Sequence, residues 1–427
     1  MAMKQTQTKY YDCSDVGLDM CFGATAKNPS NFKKILHEGY NRNSVVSVGV
    51  SGNQVTLNYG GAHGYKADRV LKIEDGVLSS INGGEFHIDS VTTDTVVLTI
   101  DDAPVSIEGG FSTIIAPLGW DLVYESGSVH IYEMLHIDDT PRFVRMFFEP
   151  NIKYRASVTV CIGKSYDADE GFIDDPNALQ LTKNIMATAA NIPRWDTYVG
   201  SSSYANYTYQ QGFNGPFGHG AFTGSKYHLC FQCGDGYKNN GNISHSVYGI
   251  FPTACLDYEI LDYPVLVAVL TNTAGNGIGP SGGNFCANAI SPNDGIGYAS
   301  IGNLRVRFDF VKAVENSILT TNSNHAQHPV SSLLPTNIDE FNTTTLRPLD
   351  IYEYNTSQVL GAVYGLHQVM VNSGNFVPYN ATTSPSIQYT PDGVRLFTCA
   401  SMSYNTTVSN GRAVAVPIEP IKYTSYS

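Results

Sequence analysis

Apolar side chains recur at every second position through most of the chain, in short runs closed by Gly, Asn and Asp. That period belongs to strands with one buried face. Val46, Val48 and Val50 alternate with small residues, Ser51-Gly52-Asn53 turns the chain, and Val55, Leu57 and Tyr59 alternate on the way back, which predicts a hairpin. Val70–Ile73, Phe86–Val91 and Thr95–Ile100 follow, punctuated by Asp75-Gly76, Asn82-Gly83-Gly84 and Asp101-Asp102. Evenly spaced short strands with turn residues between them predict a small β-barrel or sandwich over about residues 44–102. More strands are expected at Thr113–Ala116, Ser128–Tyr132, Arg142–Phe148 and 154–162.

Two segments break the alternation. Phe32, Ile35 and Leu36 form one apolar stripe, with Ser30 placed to cap a short helix and Gly39 to end it in a left-handed conformation. Asp174-Asp175-Pro176 supplies a cap and a first-turn proline for a second helix carrying Leu179, Leu181, Ile185 and Met186. Residues 1–25 read as an arm or edge segment. Past Ile192-Pro193-Arg194-Trp195 the chain grows richer in Gly, Asn, Ser and Tyr. Strands are expected near 226–233, 246–251, 264–271, 303–311, 358–364, 393–400 and 412–418, with long loops at 200–220, 272–295 and 320–348. The fold class is therefore mainly β, as a barrel- or sandwich-like N-terminal region (1–190) with two short helices and a larger loop-rich β domain (195–427).

Composition sharpens this picture. Charged residues make up only 15% of the 427 residues, against roughly 25% in an average globular protein. Polar surface must come from Ser, Thr, Asn, Gly and the 27 tyrosines, which suits sheets packed against copies or partners. The net charge is −13 with no Lys/Arg block, so neither nucleic acid nor an anionic membrane is an expected partner. The N-terminus, MAMKQTQTKYYDCSD, lacks the apolar core of a secretion signal, and no apolar run reaches the roughly 20 residues that span a bilayer. Synthesis in the cytoplasm is expected, with the eight cysteines as buried thiols.

Candidate chemistry is sparse. Cys230-x-x-Cys233, with His228 and His245 nearby, is half of a zinc site. The alternation of Tyr227, Leu229 and Phe231 makes the segment a strand, and a strand sends Cys230 and Cys233 to opposite faces. Asp167, Asp169, Glu170, Asp174 and Asp175 form an acidic cluster without the spacing of a calcium loop. Asp101-Asp102 and Asp138-Asp139 are adjacent carboxylates suited to turns rather than to facing each other across a glycosidase cleft. Gly275-Asn276-Gly277-Ile278-Gly279-Pro280 opens no helix and is not a dinucleotide loop. Tyr204, Tyr207 and Tyr209 would form either a sugar-stacking platform or plain sheet packing. No catalytic, cofactor-binding or metal-binding residue is assigned.

Several segments together resemble a family of virion structural proteins of tailed bacteriophages and prophages. They are Phe32–Gly39 with the hairpin Val45–Tyr59; Ala62-His63-Gly64-Tyr65, Val70–Ile73, Ile81-Asn82-Gly83 and Phe86-His87-Ile88; and, most distinctive, Ile115-Ala116-Pro117-Leu118-Gly119-Trp120 with Val129–Tyr132 and Arg145–Phe148. Leu333-Leu334-Pro335, Gly361–Leu366 and Arg412–Ile418 extend the likeness toward the C-terminus. The second group resembles a small β module named after a half-domain of ubiquitin-activating enzymes, which implies a fold and no ubiquitin chemistry. The resemblance implies a non-enzymatic component of a neck or tail, in the virion and assembled in the host cytoplasm. Its partners would be copies of itself and other virion proteins. A capsid decoration or host-glycan receptor-binding protein is the alternative.

Overall fold

The computed structural model describes residues 8–18, 25–149, 155–178, 194–199, 220–234, 245–255, 263–268, 296–301, 304–309, 346–353, 355–369, 387–389, 395–401 and 412–418. Within them the chain is mostly β. A strand in the N-terminal arm, β1 (Lys9–Asp12), precedes a helix, α1 (Asn28–Lys33), that runs into a π-helical turn over Lys34–Glu38. Then come β2 (Tyr40–Ser44), β3 (Ser47–Ser51), β4 (Gln54–Asn58), β5 (Val70–Ile73), β6 (Glu85–Val91), β7 (Thr95–Thr99) and β8 (Ser112–Ile115). These seven make one antiparallel sheet in the order β2-β8-β5-β6-β7-β4-β3. The predicted hairpin is β3–β4, with Ser51 opposite Gln54 across a two-residue loop.

The sheet is open rather than a closed barrel. It also takes in β8, which lies beyond the 44–102 span and sits between β2 and β5. β6 serves both halves. Its start pairs with β5 and its end with β7, and a register shift between Ile88 and Ser90 accommodates the change.

A second antiparallel sheet has the order β15-β12-β11-β10-β9, built from β9 (Asp121–Ser126), β10 (Val129–Leu135), β11 (Pro141–Phe148), β12 (Arg155–Gly163) and β15 (Arg194–Val199). The small hairpin β13 (Tyr166–Asp167) and β14 (Phe172–Ile173) stands beside it. Sequence reading missed β9 because its side chains are half-buried or exposed and give no apolar alternation.

The large sheet contains β16 (Gly220–Ser225), β17 (His228–Gly234), β18 (His245–Phe251), β19 (Thr253–Cys255), β20 (Val265–Val267), β21 (Ile296–Ile301) and β22 (Leu304–Asp309). It continues through β23 (Leu346–Glu353), β24 (Val359–Val369), β25 (Ile387–Tyr389), β26 (Arg395–Ser401) and β27 (Arg412–Ile418). Its path begins with β1, which pairs antiparallel with β16 so that Tyr11 faces Phe222 across the ladder. The loop segments 201–219, 272–295 and 320–345 lie outside the described residues, as do Leu179, Leu181, Ile185 and Met186 of the second expected helix. What is described there is a turn: Asp175 accepts the Asn177 N–H on Oδ1 at 2.8 Å, and Ala178 N–H bonds to Asp175 O.

Two cores meet at the large sheet. The first runs from α1 through both smaller sheets to Tyr11, Phe222, Leu229, Phe231, Tyr248, Ile250 and Leu266. The second holds Tyr10, Ala221, Cys230, Val247, Phe251, Val265 and Val267. Successive residues of β1, β16, β17, β18 and β20 thus face opposite cores, as a strand with period two must when both its faces are covered.

α1 seats the first core. It begins earlier than expected, with Pro29 in its first turn and no side-chain cap, so Ser30 lies inside the helix. Gly39 ends the π turn with φ 75°, as its position predicts, and a Cβ there would come within 2.5 Å of Ile115 O. Phe32 meets Phe148, Trp195, Phe222 and Phe231 at ring-centroid distances of 5.4–6.0 Å. Those partners come from the five-stranded sheet (β11, β15) and the large sheet (β16, β17). Phe32→Ala is expected to lower stability by about 3–5 kcal/mol, read as a drop in the urea midpoint by tryptophan fluorescence.

Candidate functional site

Among the described residues, a network of buried polar contacts surrounds residues 115–120, the distinctive Ile-Ala-Pro-Leu-Gly-Trp segment, and the N-terminal arm that lies on it. The segment has no regular structure past Ile115, so its backbone groups need partners from elsewhere. Ala116 N–H bonds to Val70 O at 2.9 Å. Leu118, Gly119 and Trp120 donate to Ile35 O and Leu36 O at 2.8–3.1 Å, satisfying carbonyls at the end of the helix that would otherwise be orphaned. The Tyr11 hydroxyl donates to Ala116 O at 2.6 Å, and Lys9 Nζ donates to Pro117 O. The Trp120 indole donates from Nε1 to Ser225 O at 2.9 Å, tying the segment to the turn between β16 and β17.

The arm is fixed on its other side by a charge cluster. Asp12 and Asp15 close a turn in which Asp15 N–H bonds to Asp12 O at 3.1 Å. Arg69 Nε donates to both Asp15 oxygens at 2.9–3.0 Å, and Nη2 reaches Asp15 Oδ1 at 2.7 Å and Asp12 Oδ2 at 2.8 Å. Tyr40 donates its hydroxyl to Asp15 at 2.7 Å, and the Tyr10 ring lies 4.6 Å from the guanidinium. Lys9 also pairs with Glu85 at 2.8 Å. All three members of the Arg69 cluster are buried.

Burial opposes charge on every member. For Asp12, Arg69 and the Ser14 hydrogen bonds outweigh burial and hold its pKa below the usual range. For Asp15 burial wins and the pKa is raised. For Arg69 the two carboxylates outweigh burial and keep the guanidinium charged. One cation between two acids is a pin, with Nε, Nη2 and all four carboxylate oxygens committed to structure. The sequence offered only the hint of an Asp-x-x-Asp pair beside two tyrosines; the cation lies 54 residues further on.

The residues singled out in the sequence are dispersed. His228, Cys230 and Cys233 share β17. Cys230 is buried in the second core, and position 233, an odd number of residues along the strand, belongs to the other face. The side chains of Cys233 and His245 lie outside the described ones. Cys13 and Cys161 are likewise buried thiols, and burial pushes each pKa up to about 12, far from the thiolate a nucleophile needs.

The acidic cluster is spent on turns and one tertiary contact. Asp167 accepts the Asp169 and Glu170 N–H groups at 2.9 and 2.8 Å. Asp174 accepts the Ser165 hydroxyl at 2.5 Å. Asp175 Oδ2 takes the Tyr263 hydroxyl at 2.6 Å and Lys164 N–H at 2.7 Å. Asp138 caps its own turn through Thr140 N–H and Oγ1, while Asp139 accepts the Tyr227 hydroxyl at 2.7 Å. Asp101 accepts Asn53 Nδ2 at 3.3 Å. Among the described residues no three His, Cys, Asp or Glu side chains converge on a potential metal site. Tyr204, Tyr207, Tyr209 and Gly275–Pro280 lie outside the described residues.

One further ionic cluster, on the surface, escaped sequence reading. Lys33 Nζ bridges Glu125 at 2.8 Å and Glu38 at 3.4 Å, an i to i+5 pair that the π turn brings into register. His130 Nε2 sits 3.6 Å from Glu125, and its Nδ1 contacts the Tyr132 hydroxyl at 2.9 Å. The Lys33 hydrogen bond lowers the Glu125 pKa. The cluster fastens the helix to β9 and β10.

No family model matches the chain, and no curated protein matches it. Among solved structures it is similar to "Phage phi92 endosialidase", at 11% identity and a TM-score of 0.14, over 86% of this chain and 58% of that one. The chain therefore spans less than two thirds of that protein's length, and an overlap this slight carries no argument about fold or activity.

Two outcomes follow from the buried charges. Arg69→Met leaves two buried carboxylates without a counter-charge, and a loss of about 3–5 kcal/mol is expected, measured by urea unfolding at pH 7.5. At pH 4.5 the loss shrinks, because neutral carboxyls need no cation. The second concerns His228, fully buried at the start of β17 with Nδ1 2.9 Å from Ser225 Oγ; burial pushes its pKa from 6.5 down to about 4. The unfolded chain takes up that proton near pH 6.5 and the folded chain only near pH 4. Stability is therefore full above pH 6.5 and falls as pH drops from 6.5 to 4, by about 3 kcal/mol for this group. Burial also lowers the pKa of His63, His130 and His367, so His228→Gln flattens the decline without abolishing it. Urea midpoints between pH 7.5 and 4 measure both.

Proposed function

We propose that the chain is a structural component of a tailed-phage particle, located in the neck or tail, that works by symmetric assembly with copies of itself and other virion proteins rather than by catalysis. The observation that carries this reading is a sheet architecture with open edges under a surface of low charge density: 15% charged residues and no basic cluster. Assembly interfaces disfavour charge at their centres, which this composition suits. The likeness of residues 30–150 to virion proteins supports the same reading, and its most distinctive segment is the one around which the arm, helix and sheets are bonded. Division into an N-terminal region (1–190) and a loop-rich β domain (195–427) is part of the proposal. Capsid decoration or binding of a host glycan through the loops near 200–220 and 272–295 is the second reading.

Immunogold labelling of purified phage particles with antibody against this chain tests the proposal. Gold confined to the neck or tail is the expected result. Gold spread over the capsid moves the chain to a decoration role, and particles without gold overturn the virion reading altogether.

A further inference from the structure

Among the described residues each sheet path ends in strands that pair on one side only, and proteins guard such edges with charge, irregularity or brevity. Most edges here are guarded. β1 carries Lys9 and Asp12. β2 carries Arg42 and a register shift between Tyr40 and Asn43. β9 has Asp121 and Glu125 and shifts against β10, while β15 has Arg194 and Asp196 and shifts against β12. β25 is three residues long. The exception is β3, Ser47-Val48-Gly49-Val50-Ser51, which has no charge, no proline and an unbroken register with β4.

β3 is also a palindrome. Read in either direction it is Ser-Val-Gly-Val-Ser. The two-residue loop makes Ser51 and Gln54 a hydrogen-bonded pair, so Ser47, Gly49 and Ser51 bond to β4 and the N–H and C=O of Val48 and Val50 point to the free side. A second β3 laid antiparallel on that side places Val48 opposite Val50, Val50 opposite Val48 and Gly49 opposite Gly49. The Val48–Val50 pairs are then the hydrogen-bonded ones and the glycines the close, non-bonded pair at the two-fold axis. A Cβ at Gly49 would meet nothing within 4 Å, so the sheet face over the axis is open. The pairing ends before Val46, whose N–H bonds to Asn58 O and whose carbonyl packs against Gly109. Outward positions of the neighbouring strands, such as Thr56 and Asn58 on β4 and Thr95 and Thr99 on β7, are uncharged too. In a chain with net charge −13, this edge is where two copies meet with least repulsion.

We infer that two copies of this chain associate through β3, antiparallel about Gly49, joining their seven-stranded sheets into one continuous sheet. The inference is independent of the particle reading, since it concerns the isolated chain in solution.

Sedimentation velocity on the full chain at tens of micromolar tests it. The wild-type protein is expected to sediment as a dimer or an even-numbered assembly. Gly49→Lys, whose side chain enters open space, should halve the assembled mass while leaving the far-UV circular dichroism spectrum of the folded chain unchanged. Mixing Gly49→Lys with Gly49→Glu should restore the wild-type mass, since opposite charges then face each other at the axis. A monomeric wild type overturns the inference. So does an assembly that Gly49→Lys leaves intact, because it must be held elsewhere.

Discussion

A buried segment of irregular backbone can exist only if other parts of the chain supply hydrogen-bond partners, and the stretch from Ala116 to Trp120 organises the molecule through that requirement. Its groups bond to the arm through Tyr11 and Lys9, to the helix end through Ile35 and Leu36, to β5 through Val70 and to the β16–β17 turn through Ser225. Leaving any one of these buried groups without a partner costs about 1–3 kcal/mol. The arm, helix and sheets are therefore correct together or not at all in this region.

The double-sided burial of β1, β16, β17, β18 and β20 depends on that junction. A two-faced antiparallel sheet cannot keep one polar face, so residues on both faces must be apolar or polar with partners. Leu229 and Phe231 belong to the first core and Cys230 to the second. His228, in the same strand, is accommodated by its contact with Ser225 and by staying neutral. The same logic fixes the arm. Tyr10 and Tyr11 face opposite cores, and the charges that follow them are neutralised by Arg69 rather than by water. Such a cluster adds little net stability over an apolar equivalent, but it tolerates only one register.

The polar chemistry of this chain is thus largely internal. Carboxylates that stand in suggestive pairs in the sequence close turns or reach one specific hydroxyl, as Asp139 does with Tyr227 and Asp175 with Tyr263. What remains for the outside is a lightly charged surface and sheet edges that differ sharply in how well they are guarded.

The sequence by itself determined the strand-rich class, the β3–β4 hairpin, the positions of β5, β6, β7 and β11, and the glycine that ends the first helix. These are local properties: alternation, turn residues and positive φ are written within a few neighbouring positions. It did not reveal β9, whose exposure erases alternation. It placed the helix start at Ser30, because capping preference was read there while Pro29 supplied the actual first turn. Only the tertiary structure decided that β8 enters the first sheet, that the arm becomes an edge strand of the large one, and that Arg69 faces Asp12 and Asp15. Those pairings join residues from 40 to more than 200 positions apart. Contacts at such separation are selected by which arrangement buries both faces of a sheet and leaves no charge alone, and no local pattern encodes that choice.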